Sequence, residues 1–291
     1  MNQAKGVAEW VAASGAVRRA RVIACTGGKG GVGKTNLALA LALNAASLGR
    51  QVVLLDGDLG LANVDILLDF EPRYTLANVL SGEVSVADTL VEAPFGLRVL
   101  PGASGLSQMA DLTGTQQAAL MKQLEALEAA CELMIFDTGA GISRTVIEFC
   151  LASEEMLVVT TPEPTAIADA YALIKVVAQR NPGCRVWVVV NMAAQRSEAE
   201  LTHGRLRDLA RRFLGVEVGR AGFVLQDPEV PRAVRLHRPF TLHAPAGPAA
   251  LCVREVARTL GFAEPCARSV AAGFARRIGA LFRAAPSAQS S

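Results

Sequence analysis

The segment with the most chemical content is Gly27-Gly28-Lys29-Gly30-Gly31-Val32-Gly33-Lys34-Thr35. Gly28, Gly33, Lys34 and Thr35 have the spacing of a phosphate-binding loop, and they stand where such a loop works: after the apolar run Arg21 to Thr26 and before a helical pattern starting at Lys34. Glycines suit this position because several backbone N–H groups must turn inward around an anion, in conformations that a Cβ obstructs. The positive end of the following helix adds to the attraction. Lys34 is expected to reach the β- and γ-phosphates of a nucleotide, and the Thr35 hydroxyl to bind Mg2+.

Two more groups fit the same centre. Asp56 and Asp58 follow the apolar run Gln51 to Asp56, and Asp137 closes the run Leu133 to Asp137. In open α/β sheets ligands bind at the carboxyl ends of the strands, which brings these carboxylates toward the phosphates. Lys29 adds a second ammonium in mid-loop. It would crowd Lys34 unless negative charge from a ligand lay between them, and it is one of only five lysines beside 24 arginines.

The pattern Lys29-Gly-Gly-Val-Gly-Lys34-Thr35 resembles the deviant Walker A ATPases of the MinD/ParA family. The resemblance implies ATP and Mg2+ held by Gly28, Lys29, Gly30, Gly31, Val32, Gly33, Lys34, Thr35 and Asn36. It also implies that Lys29 contacts the nucleotide of a second subunit, so that ATP holds a face-to-face homodimer. On the same basis Asp58 resembles the switch I aspartate that orients the attacking water and touches the Mg2+ shell. Asp137 resembles the Walker B residue, with switch II in the glycines after it. Lys29 and Asp58 are thus the catalytic candidates, and Thr35, Asp58 and Asp137 the metal candidates. Asn191, closing the run Arg185 to Asn191, matches the adenine-reading amide. Asp227 falls in the segment that covers the base, although Leu225 stands where the family commonly has proline.

Within that family, Asp58-Leu-Gly-Leu-Ala-Asn63-Val-Asp65, Leu100-Pro-Gly-Ala-Ser-Gly105 and Glu163-Pro-Thr-Ala-Ile-Ala-Asp are similar to the FlhG/FleN (YlxH) regulators of flagellar number. That implies a slow, partner-stimulated ATPase. Its expected partners are a flagellar signal-recognition-type GTPase, flagellar switch (C-ring) proteins or a flagellar transcription activator. Division-site placement and DNA partition are the alternatives. The family's GTPase-activating Asp-Gln-Ala-x-x-Leu-Arg motif is matched in Asn2-Gln3-Ala4-Lys5-Gly6-Val7-Ala8 only at Gln3 and Ala4.

The elements that must position these residues are legible as alternating apolar strands and helices. Strands expected at Gly96 to Leu100, Met156 to Thr160 and Val218 to Val224 join those above. Helices are expected at Lys34 to Leu48, Gly114 to Ala130, Ser143 to Leu151, Thr165 to Gln179 and Glu198 to Phe213. Uniformly apolar strands alternating with helices predict a mostly parallel central sheet flanked by helices, an α/β P-loop fold. The organisation reads as an arm over residues 1–20, an ATPase domain over 21–265, and an amphipathic helix with a disordered tail over 266–291.

Composition narrows the partners. With 29 basic and 27 acidic residues in 291, the chain lacks the charge of a generic nucleic-acid binder, and specific nucleic acid is not expected. The six arginines after Leu251 face only Glu255 and Glu264. Val270, Phe274, Ile278, Leu281 and Phe282 fall on one helical face there, with Arg268, Arg276 and Arg283 largely off it. Such a helix fits an anionic membrane surface, although a helix packed on the core shows the same stripe. Six cysteines without a C-x-x-C pair and the absence of a signal-peptide pattern or membrane-length apolar run lead us to expect a cytoplasmic chain, peripheral to the inner face of the membrane.

Overall fold

The computed structural model describes residues 20–57, 64–102, 113–263 and 273–283. Eight strands form one sheet: β1 (Arg21–Gly27), β2 (Val52–Gly57), β3 (Val91–Glu92), β4 (Arg98–Leu100), β5 (Leu133–Ala140), β6 (Glu155–Thr160), β7 (Arg185–Ala193) and β8 (Val218–Leu225). Their order is β3-β4-β2-β5-β1-β6-β7-β8. Every pairing is parallel except β3 with β4. β2, β6 and all of β1 after Arg21 are buried, as strands covered by helices on both faces must be. β1 lies at the centre, with β5 and β2 on one side and β6 and β7 on the other, so the loop leaving it opens where the strand order divides.

One face of the sheet carries the helix Lys34–Ser47, buried along Leu37 to Leu43, packed beside the helix Pro248–Thr259. A helix apolar on all sides belongs inside, and here it ties the phosphate loop rigidly to the core. The other face carries Gly114–Ala130, Arg144–Ala152, Pro164–Arg180 and Arg196–Leu214. At the amino ends of the strands, Arg21 donates to both oxygens of the buried Glu155 at 2.6 and 2.7 Å, and Arg185 and the Trp187 indole donate to the same carboxylate. Burial alone would raise the Glu155 carboxyl, but these donors hold it below the usual range. Cys25, Cys131 and Cys150 are buried free thiols, and burial pushes Cys150 up to about 12.

The C-terminal helix differs from its lipid-facing expectation. Phe274–Arg283 lies between Gly114–Ala130 and Arg144–Ala152, and its apolar stripe is spent on the domain. Phe274 is 1% exposed and Ile278 fully buried, and the Phe274 ring lies 6.0 Å from that of Phe136, which stacks on Phe149 at 4.1 Å. Glu128 accepts hydrogen bonds from the first-turn N–H groups of Phe274 and Ala275, while Arg276 pairs with Glu125 and Arg277 donates to the Ala152 carbonyl. The same stripe that suits lipid suits a groove between two helices, and here the groove holds it. Residues 1–19, 264–272 and 284–291, and with them the arm, Val270, Arg268 and the tail, lie outside the described residues.

Replacing a buried phenylalanine leaves a cavity that costs about 3–5 kcal/mol. Phe274→Ala is therefore expected to lower the unfolding free energy by roughly that amount in urea denaturation. A loss below about 1 kcal/mol would mean that the helix is not docked in solution.

Candidate functional site

The loop leaving β1 is shaped by contacts that exclude side chains. A Cβ on Gly27 would meet the Val159 carbonyl at 2.8 Å, and one on Gly28 would collide with the backbone of Asp169 on the helix Pro164–Arg180. Gly31 and Gly33 have φ of 79° and 85°, in the left-handed region that glycine adopts without strain. A Cβ on Gly33 would also collide with the side-chain amide of Asn191. Gly33 caps the helix Lys34–Ser47, whose first turn has neither a side-chain cap nor an acidic residue. The N–H groups there remain for an anionic ligand. This Cβ-free cradle on an uncapped helix fits a polyphosphate, with Lys34, 7% exposed, as its buried ammonium.

The carboxylates gather at the same edge. Asp137 on β5 is in register with Cys25 on β1 and with Asp56 on β2, so both aspartates stand in one row on the same side of the loop's origin. Asp137 is fully buried, and Asp56 accepts a 3.4 Å hydrogen bond from the Val64 N–H that starts the helix Val64–Leu68. Asp56 thereby anchors the far end of the segment containing Asp58. Asp58 itself, with residues 59–63, lies outside the described residues. Beyond Asp137, β5 runs on to Ala140 beside Gly27, and the Gly141 N–H donates to the Gly27 carbonyl at 3.0 Å, joining the expected switch II to the phosphate loop. Thr35 and Asn36 stand on the first turn of the helix Lys34–Ser47.

Lys29 is held at the surface by the segment after β6. Its ammonium pairs with Glu163 at 2.7 Å and approaches the Thr165 hydroxyl at 3.1 Å. The lysine side chain is 41% exposed and Glu163 more so, which makes this a surface pair worth about 0–1 kcal/mol. It is easily exchanged for a stronger anion. Glu163 and Thr165 had no expected role; their place after β6, opposite the loop, is what assigns them one.

Beside the loop lies a cavity of about 940 Å3, lined by Asn36, Leu37, Asn191, Met192, Asp227 and Phe240 among others. Asn191 donates through Nδ2 to the Val32 carbonyl at 2.8 Å, which leaves its amide oxygen for a ligand. An acceptor there suits the exocyclic amino group of adenine and repels the O6 of guanine. Asp227 also lines the cavity, but its two oxygens brace the wall by accepting the N–H groups of Glu229 at 2.9 Å and Ala249 at 3.1 Å. Asn191, the expected adenine reader, thus lines the cavity beside the loop, whereas Asp227 holds two helix starts together.

Comparisons with known proteins agree with this geometry. The AAA domain family matches residues 20–182. The chain is 41% identical over 244 residues to the antiactivator FleN of Pseudomonas aeruginosa, spanning 84% of this chain and 87% of that protein. This chain belongs to the FlhG/FleN branch of the MinD/ParA ATPases. It is 35% identical over 191 residues to the flagellum site-determining protein YlxH of Helicobacter pylori, covering 66% of this chain and 64% of that one. The fold matches the septum site-determining protein MinD of Pyrococcus horikoshii complexed with Mg-ADP, with a TM-score of 0.66 and 22% identity over 83% of this chain and 96% of that one. The protein is accordingly a P-loop ATPase of the MinD/ParA type.

Removing the Lys34 ammonium leaves polyphosphate charge uncompensated in a partly closed loop. Lys34→Ala is expected to abolish ADP binding in isothermal titration while leaving thermal unfolding of the free chain little changed. Unaltered affinity would take Lys34 out of the site.

Proposed function

We propose that this ATPase sets the number and placement of flagella by switching between a monomer and an ATP-bound homodimer. The observation that carries the reading is the pair of lysines in one loop with unequal partners: Lys34 is buried at the cradle, while Lys29 rests on Glu163 at the surface. A second chain bringing its own nucleotide to this face offers Lys29 a polyphosphate in place of one carboxylate. The exchange costs at most the weak surface pair. ATP then acts as an adhesive between two copies, and hydrolysis weakens it.

Within each active site the residues divide the work. Lys34 and the loop N–H groups hold the β- and γ-phosphates, and Lys29 from the opposite copy adds charge where it develops during transfer. Asp58 orients the attacking water. Thr35, Asp58 and Asp137 would hold Mg2+, which when bound would neutralise phosphate charge. Phosphoryl transfer depends mainly on positioning, so a site completed only by a partner should turn over slowly until that partner arrives.

The likeness to the antiactivator FleN and to a relative named flagellum site-determining protein YlxH supports the flagellar role. The partners we infer are a flagellar signal-recognition-type GTPase, C-ring proteins and a flagellar transcription activator, engaged according to nucleotide state. Among the described residues no helix is long and apolar enough to cross a membrane. Attachment to an anionic membrane in the ATP state would use the helix Phe274–Arg283 and would require Phe274 and Ile278 to leave the core. Each forfeits up to about 1.5–3 kcal/mol of burial, to be recovered in the lipid.

The test is made in the source bacterium. Deleting the gene, or replacing it with an Asp58→Ala allele, is expected to change the number of flagella per cell counted by electron microscopy, with deletion raising it. An unchanged count in both strains would contradict the flagellar role.

A further inference from the structure

Asn191 and Met192 are neighbours on β7, and neighbours on a regular strand point to opposite faces. Here both line the cavity beside the phosphate loop. The reason is local: between Val190, paired with Phe223, and Ala193, paired with Leu225, β7 advances three residues while β8 advances two. The extra residue is a bulge, a device that re-aims side chains beside active sites. Met192 absorbs the turn with φ at 56°, a left-handed conformation unfavourable for an unbranched apolar side chain and seen mostly where function maintains it. Its Cε ends 3.5 Å from where a Cβ on Gly33 would sit, so the thioether folds back onto the phosphate loop. Met192 nevertheless remains 44% exposed. An apolar, polarisable side chain is thus held in strain beside the base-reading amide with much of its surface uncovered.

We propose that Met192 is a positioning residue for the nucleotide, the surface against which the purine face packs while Asn191 reads its edge. The inference rests on the assignment of this cavity to the adenine of ATP. Sulfur packs favourably on aromatic rings, and the bulge lets two consecutive residues serve the face and the edge of one base. Such a residue acts on the base and leaves the phosphates alone.

The experiment titrates the full chain, with Mg2+, against ADP and against inorganic tripolyphosphate, which lacks a base. ADP avoids any contribution from ATP-driven dimers. Met192→Gly, which fits the left-handed backbone, is expected to weaken ADP binding by about tenfold and to leave tripolyphosphate binding within about twofold of the parent. Met192→Leu, which restores apolar contact, is expected to recover most of the ADP affinity. Unchanged ADP affinity in Met192→Gly would overturn the proposal. So would equal losses for ADP and tripolyphosphate, which would show that the side chain braces the loop and does not meet the base. Failure of the unmodified chain to bind ADP would instead be a failure of the nucleotide assignment, and it appears in the first titration.

Discussion

Backbone N–H groups can surround a polyphosphate only where no Cβ stands in the way, and that requirement governs the centre of this molecule. Gly27, Gly28 and Gly33 are closed in by the Val159 carbonyl, the Asp169 backbone and the Asn191 amide respectively. Each wall belongs to a different element, so the loop is moulded by β6, by the helix Pro164–Arg180 and by β7 at once. The buried helix Lys34–Ser47 fixes the other end. A flexible glycine run would cradle nothing; three walls and one rigid helix turn it into a site whose ordering cost is met during folding.

The same arrangement couples the site to its surroundings. Gly141 hydrogen-bonds to Gly27, and the Val64 N–H donates to Asp56, so the segments after Asp137 and after Asp58 are both tied to the strand ends that hold the phosphates. Asn191 joins the base cavity to the loop through the Val32 carbonyl. Each of these connections is a single hydrogen bond. Lys29 stands outside this rigid set on a weak surface ion pair with Glu163.

Much of this was readable in the residues because the physics is local there. Strands buried on both faces are uniformly apolar, and β1, β2, β6 and the apolar stretches of β5 and β7 announce themselves so; β8, half-buried at the sheet edge, and the two-residue β3 carry a weaker signal. Gly28, Gly33, Lys34 and Thr35 fall in one strand–loop–helix, and their roles follow from spacing. Met192 could not be found this way, because alternation sends the residue after Asn191 away from the cavity and only the mismatch with β8 brings it back. The stripe Phe274, Ile278, Leu281 states that one helical face seeks an apolar surface without saying which. Glu128 and the Phe136–Phe149 stack, which supply that surface, are far away in sequence.

The central claim is that two copies complete one another's active site. It is tested most directly by the rate of ATP hydrolysis per chain, measured with Mg2+ at protein concentrations from well below to well above those at which sedimentation shows dimers. The account predicts a rate per chain that climbs with concentration to a plateau, and a Lys29→Ala protein that binds ATP but stays at the low rate throughout. A rate per chain independent of concentration, unaltered by Lys29→Ala, would mean that each chain hydrolyses ATP alone.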